Sequence, residues 1–209
     1  MTALYSAESF RQRAISRLPV QDAREYGDHS FNPGLEDFFQ NIKRQPAAVL
    51  VPVIAHEPEV TILLTERTHD LPSHPGQIAF PGGKIDAGDD SVEAAALREA
   101  EEEIGLLRSH VNVLGRAPDY LTGSGFHIAP VLGLVAPGAQ LTLNPGEVAD
   151  AFEVPLSFLM NPANHRRGSR IWQGVERTFF EMPYQDRYIW GVTAGILRVL
   201  YEQLYGDGP

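Results

Sequence analysis

Two stretches of the chain are apolar almost without interruption, PAAVLVPVIA at 46–55 and VTILLTER at 60–67. Runs of this length rich in β-branched residues, separated only by HEPE, predict two strands joined as a hairpin. Before them the pattern is polar and mixed. AESFRQRAISRL and NPGLEDFFQNIKR predict two short amphipathic helices, suited to packing or to a dimer contact. After the hairpin comes the loop HDLPSHPGQ, then IAFPGG, a short strand expected to stop at Pro81 and two glycines. The register then changes to that of a helix over about 91–104, with Asp89, Asp90 or Ser91 available as its N-cap. VNVLGRAPDYL, HIAPVLGLVA and AFEVPLSFLM predict further strands, and RIWQGVERTFFEMPYQDRYIW a late hairpin. GVTAGILRVLYEQLYG places Ile196, Leu197, Leu200 and Leu204 at helical spacing and predicts a C-terminal helix. Strands, one helix, more strands and a final helix imply an α/β class, with a mixed sheet packed between helices.

Composition narrows the function classes. The 209 residues suit one domain with terminal additions. No apolar run approaches the ~20 residues that a membrane span needs, so no membrane partner is expected. The start, MTALYSAESFRQR, has no basic region leading into an apolar stretch, so no secretory signal is read. With no cysteine, disulfides, thiolate metal sites and cysteine nucleophiles are excluded, and a cytoplasmic location is expected. The formal net charge of −10 argues against nucleic-acid binding. It tolerates a metal-dependent enzyme, because bound cations reverse the local field.

The stretch REAEEEIGL at 98–106 is at odds with helix electrostatics. Acidic side chains near a helix C-terminus are disfavoured by a few tenths to ~1 kcal/mol each, and like charges at i, i+4 repel. Glu99, Glu102 and Glu103 stand at i, i+3 and i+4 and share an arc of roughly 100°. Ala96, Leu97, Ala100 and Ile104 fill the neighbouring, core-facing arc. Glu101 points away to water. Arg98 is placed to pair with Glu102 or to brace nearby backbone. Three carboxylates on one patch either form a solvated acidic face or hold a hard cation such as Mg²⁺, which takes oxygen ligands.

The full segment GGKIDAGDDSVEAAALREAEEEIGL (82–106) resembles the Nudix box, G-x5-E-x7-R-E-U-x-E-E-x-G-U with U aliphatic. Arg98, Glu99, Glu102, Glu103, Gly105 and Leu106 fall in register, with Ala100 at the first U. The loop before them is one residue longer than the pattern, and its acid is Asp89 or Asp90 in place of glutamate. The resemblance implies a Nudix fold, in which a mixed β-sheet lies between α-helices. It also implies Mg²⁺- or Mn²⁺-dependent hydrolysis of a pyrophosphate in a nucleoside diphosphate derivative. Carried over, the catalytic residues are Arg98, Glu99, Glu102 and Glu103. Metal ligands are Glu99, Glu102, Glu103 and the carbonyl of Gly82. The Nudix domain is expected at 46–209, with residues 1–45 a helical extension packing on it.

Immediately upstream, LLTERTHDLPSHPGQIAFPGG (63–83) is similar to the signature of the coenzyme A pyrophosphatase branch, L-L-T-x-T-[SA]-x3-R-x3-G-x3-F-P-G-G. Leu63, Leu64, Thr65, Gly76, Phe80, Pro81, Gly82 and Gly83 match. Arg67, Thr68 and Pro72 do not, and Pro72 stands where the signature has arginine. This resemblance implies coenzyme A as the small-molecule partner. Its products would be adenosine 3′,5′-bisphosphate and 4′-phosphopantetheine. Substrate contacts are sought at Arg67, Gly76, Phe80, Lys84 and Glu147, with Arg67 or Lys84 able to compensate for the missing arginine. For Leu63, Leu64 and Phe80 the bland expectation is core packing, and for Gly76 and Gly83 backbone turns. His74 and His127 read as loop or strand polar groups. Tyr120 and Phe126 suit adenine stacking or packing, and Glu147 a further ligand or base, or a solvated turn acid. Arg166 and Arg167 suit a 3′-phosphate contact or a surface loop. Alternatives are the same chemistry on ADP-ribose or a dinucleotide, and a non-catalytic nucleotide-binding module, which would be expected to lose box glutamates. A homodimer is expected by analogy alone.

Overall fold

The computed structural model describes residues 3–18, 25–172 and 174–206. Its first half contains α1 (Ala7–Arg17), β1 (Tyr26–Gly27), α2 (Glu36–Asn41), β2 (Gln45–Ile54), β3 (Thr61–Arg67), β4 (Ile78–Ala79), β5 (Gly82–Lys84) and α3 (Val92–Ile104). The second half adds β6 (Val111–Arg116), β7 (Tyr120–Leu121), β8 (Phe126–Val135), β9 (Val148–Pro155), α4 (Leu156–Leu159), β10 (Arg166–Trp172), β11 (Val175–Tyr184), β12 (Arg187–Trp190) and α5 (Val192–Leu204). Strands β1 to β9 form one mixed sheet, and β10–β11–β12 form a second, antiparallel sheet.

The continuous apolar run of β2 has a tertiary cause. Ala47, Val51 and Val53 face one side of the main sheet, Ala48, Leu50 and Ile54 the other, and both sides are covered. On the first side lie Phe10 and Ala14 of α1, the inward face of α5 and Phe180, Met182 and Ile189 of the second sheet. On the other side Ala95, Ala96, Ala100 and Ile104 of α3 pack on Leu50, Leu63 and Val131. Three of those four helix residues are alanine, so α3 sits close against the strands. Ile104, fully buried, contributes about 1.5–3 kcal/mol to holding it there.

Several expectations change in the tertiary structure. The hairpin between β2 and β3 exists, but only Val53↔Ile62 and Ile54↔Thr61 are paired. Beyond the turn the strands part, β2 pairing in parallel with β8 and β3 antiparallel with β9. Gly82 and Gly83, read as strand terminators, themselves form β5 against β2. A Cβ on Gly82 would lie 2.5 Å from the Ala48 carbonyl oxygen and 2.6 Å from Val49 Cα, so glycine permits this close pairing. Arg166 and Arg167 lie in β10, not in a surface loop, and the late hairpin is a three-stranded meander. Among the described residues no helix is long and apolar enough to cross a membrane.

Candidate functional site

Helix α3 begins where Ser91 Oγ accepts the Ala94 N–H at 3.1 Å, and it ends at Gly105, whose left-handed φ of 67° suits glycine. The carbonyls at its C-terminal end do not depend on their own helix for partners. Thr142 N–H donates to the Ile104 carbonyl and Asn144 N–H to that of Glu103, each at 2.9 Å. A loop between β8 and β9 therefore caps the helix, and the same loop carries Glu147 to the acidic face.

Arg98 organises the near side of that face. Its Nε and Nη2 donate to the two carboxylate oxygens of Asp89 at 2.9 and 3.0 Å. Nη1 donates to Glu99 at 2.9 Å and to Glu102 at 3.1 Å, and Nη2 also donates to the Lys84 carbonyl at 3.1 Å. All five N–H donors of the guanidinium are used. The side chain thus pairs with Glu102 and braces backbone at once. Hydrogen bonds from Arg98 hold the Asp89 carboxyl below its ordinary range. Asp89, whose part was in doubt from the lengthened loop, is the principal anchor of Arg98.

The far side is compensated much less. Glu103 is 4% exposed and accepts the Gly82 N–H at 3.1 Å. Burial raises its carboxyl to about 7; Glu147 and Glu99 push the same way, while the Gly82 N–H and Arg67 oppose them. Burial also raises Glu99, which lies directly over Gly83, where a Cβ would meet the carboxylate at 2.6 Å. The second glycine of FPGG therefore leaves room for a side chain of the acidic face. Glu102 is the exposed member of the three, with 57% of its side chain open to solvent. Glu101 stands apart, 3.6 Å from Arg108.

Arg67 reaches this cluster by strand alternation, on the same face of β3 as Leu63, which packs on the α3 side. The β3–β9 register shifts between Glu66 and Arg67, the extra residue, Ala149, lying in β9. Arg67 N–H donates to the Gln77 carbonyl, and Thr68 N–H to that of Glu147, which ties both loops together. The buried Nε of Arg67 has no hydrogen-bond partner among the described residues.

Other expected contacts go elsewhere. Phe80 is 4% exposed within the core of the α5 side, so packing and not substrate contact accounts for it. Gly76 is a turn residue at φ 66°, with the His69 ring where a side chain would stand. Lys84 is exposed and enters the network through its carbonyl. Tyr120 is 1% exposed and donates its hydroxyl to Asp28 at 2.8 Å, which rules out stacking on an adenine. His74 bonds Gln77 within its loop, and His127 stands 3.8 Å from Asp119. What sequence reading missed is the Asn144 turn and the Asp89–Arg98 pair. The NPGE string hinted at the first and a carboxylate one helical approach before Arg98 at the second.

Among the described residues no three Asp, Glu or His side chains converge at metal-ligating spacing, because Glu99 and Glu102 turn to Arg98 and Glu103 to Gly82. The donor set still fits a hard divalent cation. It is all oxygen, and its buried member, raised first by burial, also faces two carboxylates whose charge a cation would neutralise.

Comparison with known proteins agrees with this geometry. The family model of the NUDIX domain matches residues 43–172. The chain is 42% identical over 158 residues to the uncharacterized Nudix hydrolase NudL of Photorhabdus laumondii, covering 76% of this chain and 84% of that protein. It is 41% identical over 158 residues to NudL of Yersinia pestis, covering 76% and 79%. Among solved structures, an Ap4A hydrolase binary complex from C. elegans has a TM-score of 0.47 at 20% identity, over 53% of this chain and 80% of that one. The NUDIX domain of Shewanella oneidensis NrtR complexed with ADP ribose has a TM-score of 0.42 at 20% identity, over 58% and 82%. The family match covers β2 to β10, the box helix and the loop bearing Glu147, and the chain belongs to the Nudix hydrolase family.

Proposed function

We propose that the chain is a Mg²⁺- or Mn²⁺-dependent pyrophosphatase that hydrolyses coenzyme A to adenosine 3′,5′-bisphosphate and 4′-phosphopantetheine. The observation that carries the chemistry is the acidic face of Glu99, Glu103 and Glu147, whose buried member Glu103 is met only in part by Arg67 and the Gly82 N–H. Support for the substrate comes from the 63–83 stretch, similar to the coenzyme A branch and leading directly into the Gly82–Glu103 contact. Glu99, Glu102, Glu103 and the Gly82 carbonyl would hold the metal. When bound, divalent cations neutralise charge on the phosphoryl oxygens and acidify water.

The remaining work falls to the chain. Arg67, whose charge acts on Glu103, offers a positive group to a substrate phosphate. Glu103, buried at the floor of the face and held by the Gly82 N–H, is placed to accept a proton from the attacking water. A bond forms between that water oxygen and one phosphorus, and the bridging P–O bond breaks. Arg98 orients Glu99 and Glu102 through its Nη1. Of the N-terminal 1–45, α1 packs on the hydrolase domain and β1 joins its main sheet; the enzyme acts in the cytoplasm, as a homodimer by analogy.

A specific observation keeps a second substrate class open: Pro72 replaces the signature arginine, which favours another nucleoside diphosphate derivative such as ADP-ribose or a dinucleotide. The deciding experiment incubates pure protein with a substrate panel and Mg²⁺ or Mn²⁺ and identifies the products. A higher kcat/KM for coenzyme A than for ADP-ribose and dinucleotides is expected. Clear preference for ADP-ribose would overturn the substrate and leave the hydrolase chemistry standing.

A further inference from the structure

The geometry points to Asn144 as a positioning residue that holds Glu147 over the acidic face of α3. Each polar group of Asn144 is engaged in a different task. Its N–H donates to the Glu103 carbonyl, anchoring the loop to the end of the box helix. Its carbonyl accepts the N–H groups of Glu147 and Val148 at 3.0 and 2.9 Å, closing the turn. Its Oδ1 accepts the Gly146 N–H at 3.1 Å, and its Nδ2 donates to Glu147 Oε1 at 3.2 Å. The backbone bonds place the turn, and the Nδ2 bond aims the carboxylate.

That aim opposes a repulsion. Glu147 acts on both Glu103 and Glu99, raising each carboxyl, so the unrestrained side chain would turn toward solvent. The amide of Asn144 is a neutral donor fixed to the same helix end. It holds Glu147 inward without neutralising it, as a lysine or arginine in its place would do. Substrate and metal need that negative charge intact. The inference rests on the reading of Glu147 as part of the hydrolytic site.

Asn144→Ser tests it. The serine hydroxyl can still accept the Gly146 N–H but is too short to reach Glu147. With the full chain, Mn²⁺ and the best substrate of the panel, Glu147→Gln is expected to lower kcat about tenfold or more. Asn144→Ser should lower kcat to a similar extent, with KM within about twofold, and the double variant should be no slower than Glu147→Gln alone. Titration with Mn²⁺ in the absence of substrate should show both single variants weakened by a similar factor, about 3- to 10-fold. Asn144→Asp, isosteric but opposing Glu147 with a second carboxylate, should also be slow, and it replaces the serine variant if that one does not fold. Slow Glu147→Gln beside Asn144 variants at the wild-type rate would overturn the positioning role. So would losses that multiply in the double variant. Glu147→Gln at the wild-type rate would instead remove Glu147 from the site.

Discussion

Arg98 and Glu103 stand on the same helix in opposite electrostatic conditions. Around Arg98 every guanidinium N–H meets an oxygen, and three carboxylates share one cation. Around the Glu103 carboxylate the neighbours are Glu99 and Glu147, the Gly82 N–H donates a hydrogen bond, and Arg67 compensates only in part. The first arrangement is closed and adds stability without a ligand. The second brings like charges together around a buried carboxyl. A single acidic run thus divides into a clamp and a receptor. The division follows burial: Glu102, on the clamp side, is mostly exposed, whereas Glu103 is not.

The largest expected effect tests the receptor side. Glu103→Gln keeps the volume and an acceptor for the Gly82 N–H, yet should slow turnover ~10²–10⁴-fold, the scale of a lost catalytic proton acceptor. Without metal it should melt no lower than wild type, because a repelling charge is gone. Near-normal turnover would move the reaction away from Glu103.

Next in size is pH dependence. The Glu103 carboxyl is raised in the folded chain from 4.5 to about 7, so the folded state holds a proton that the unfolded state has released. That contribution is fully present below pH 4.5 and is lost as pH rises through about 7. At 1.36 kcal/mol per unit it amounts to about 3 kcal/mol. Denaturant melts in chelator from pH 4.5 to 8 should show this decline in wild type and its absence in Glu103→Gln. Parallel curves would mean that Glu103 is not charged at a cost in the fold.

The clamp side should answer differently. Arg98→Met removes five hydrogen bonds and leaves Asp89, Glu99 and Glu102 facing one another. Allowing for their partial exposure, a loss of about 1–3 kcal/mol is expected in metal-free denaturant melts. Added Mn²⁺ should recover part of it, since a cation replaces the missing charge. If Arg98→Met and Glu103→Gln change metal-free stability in the same direction, the contrast between the two regions fails. Glu101→Gln gives the smallest change. It loses one half-exposed ion pair with Arg108, so stability should move by less than ~0.5 kcal/mol and turnover should stay within about twofold.

The box helix was legible in the sequence nearly to the residue. Ser91, Gly105 and the face of Glu99, Glu102 and Glu103 depend on contacts within one or two turns, and those are written in local order. The strands were legible as apolar runs, but their partners were not. Nothing within 46–67 says that β2 pairs in parallel with β8 or that β3 spends its length against β9. Phe80 illustrates the ambiguity: a motif position and a core position look alike until a core exists to receive it.

By itself the sequence determined the helical register, its caps, the spacing of the carboxylates and the oxygen-only character of the site. Local hydrogen bonding and the 3.6-residue repeat are enough for each of these. Only the tertiary structure decided that Glu103 is buried and Glu102 is not, because burial depends on which strands lie beneath the helix. It also decided that the charge of Arg67 acts on Glu103 and that Asp89 meets Arg98. Finally, it brought Glu147 from a loop 44 positions after Glu103. Contacts across that span require the chain to close on itself over a packed sheet, and no periodicity along the chain records where it closes.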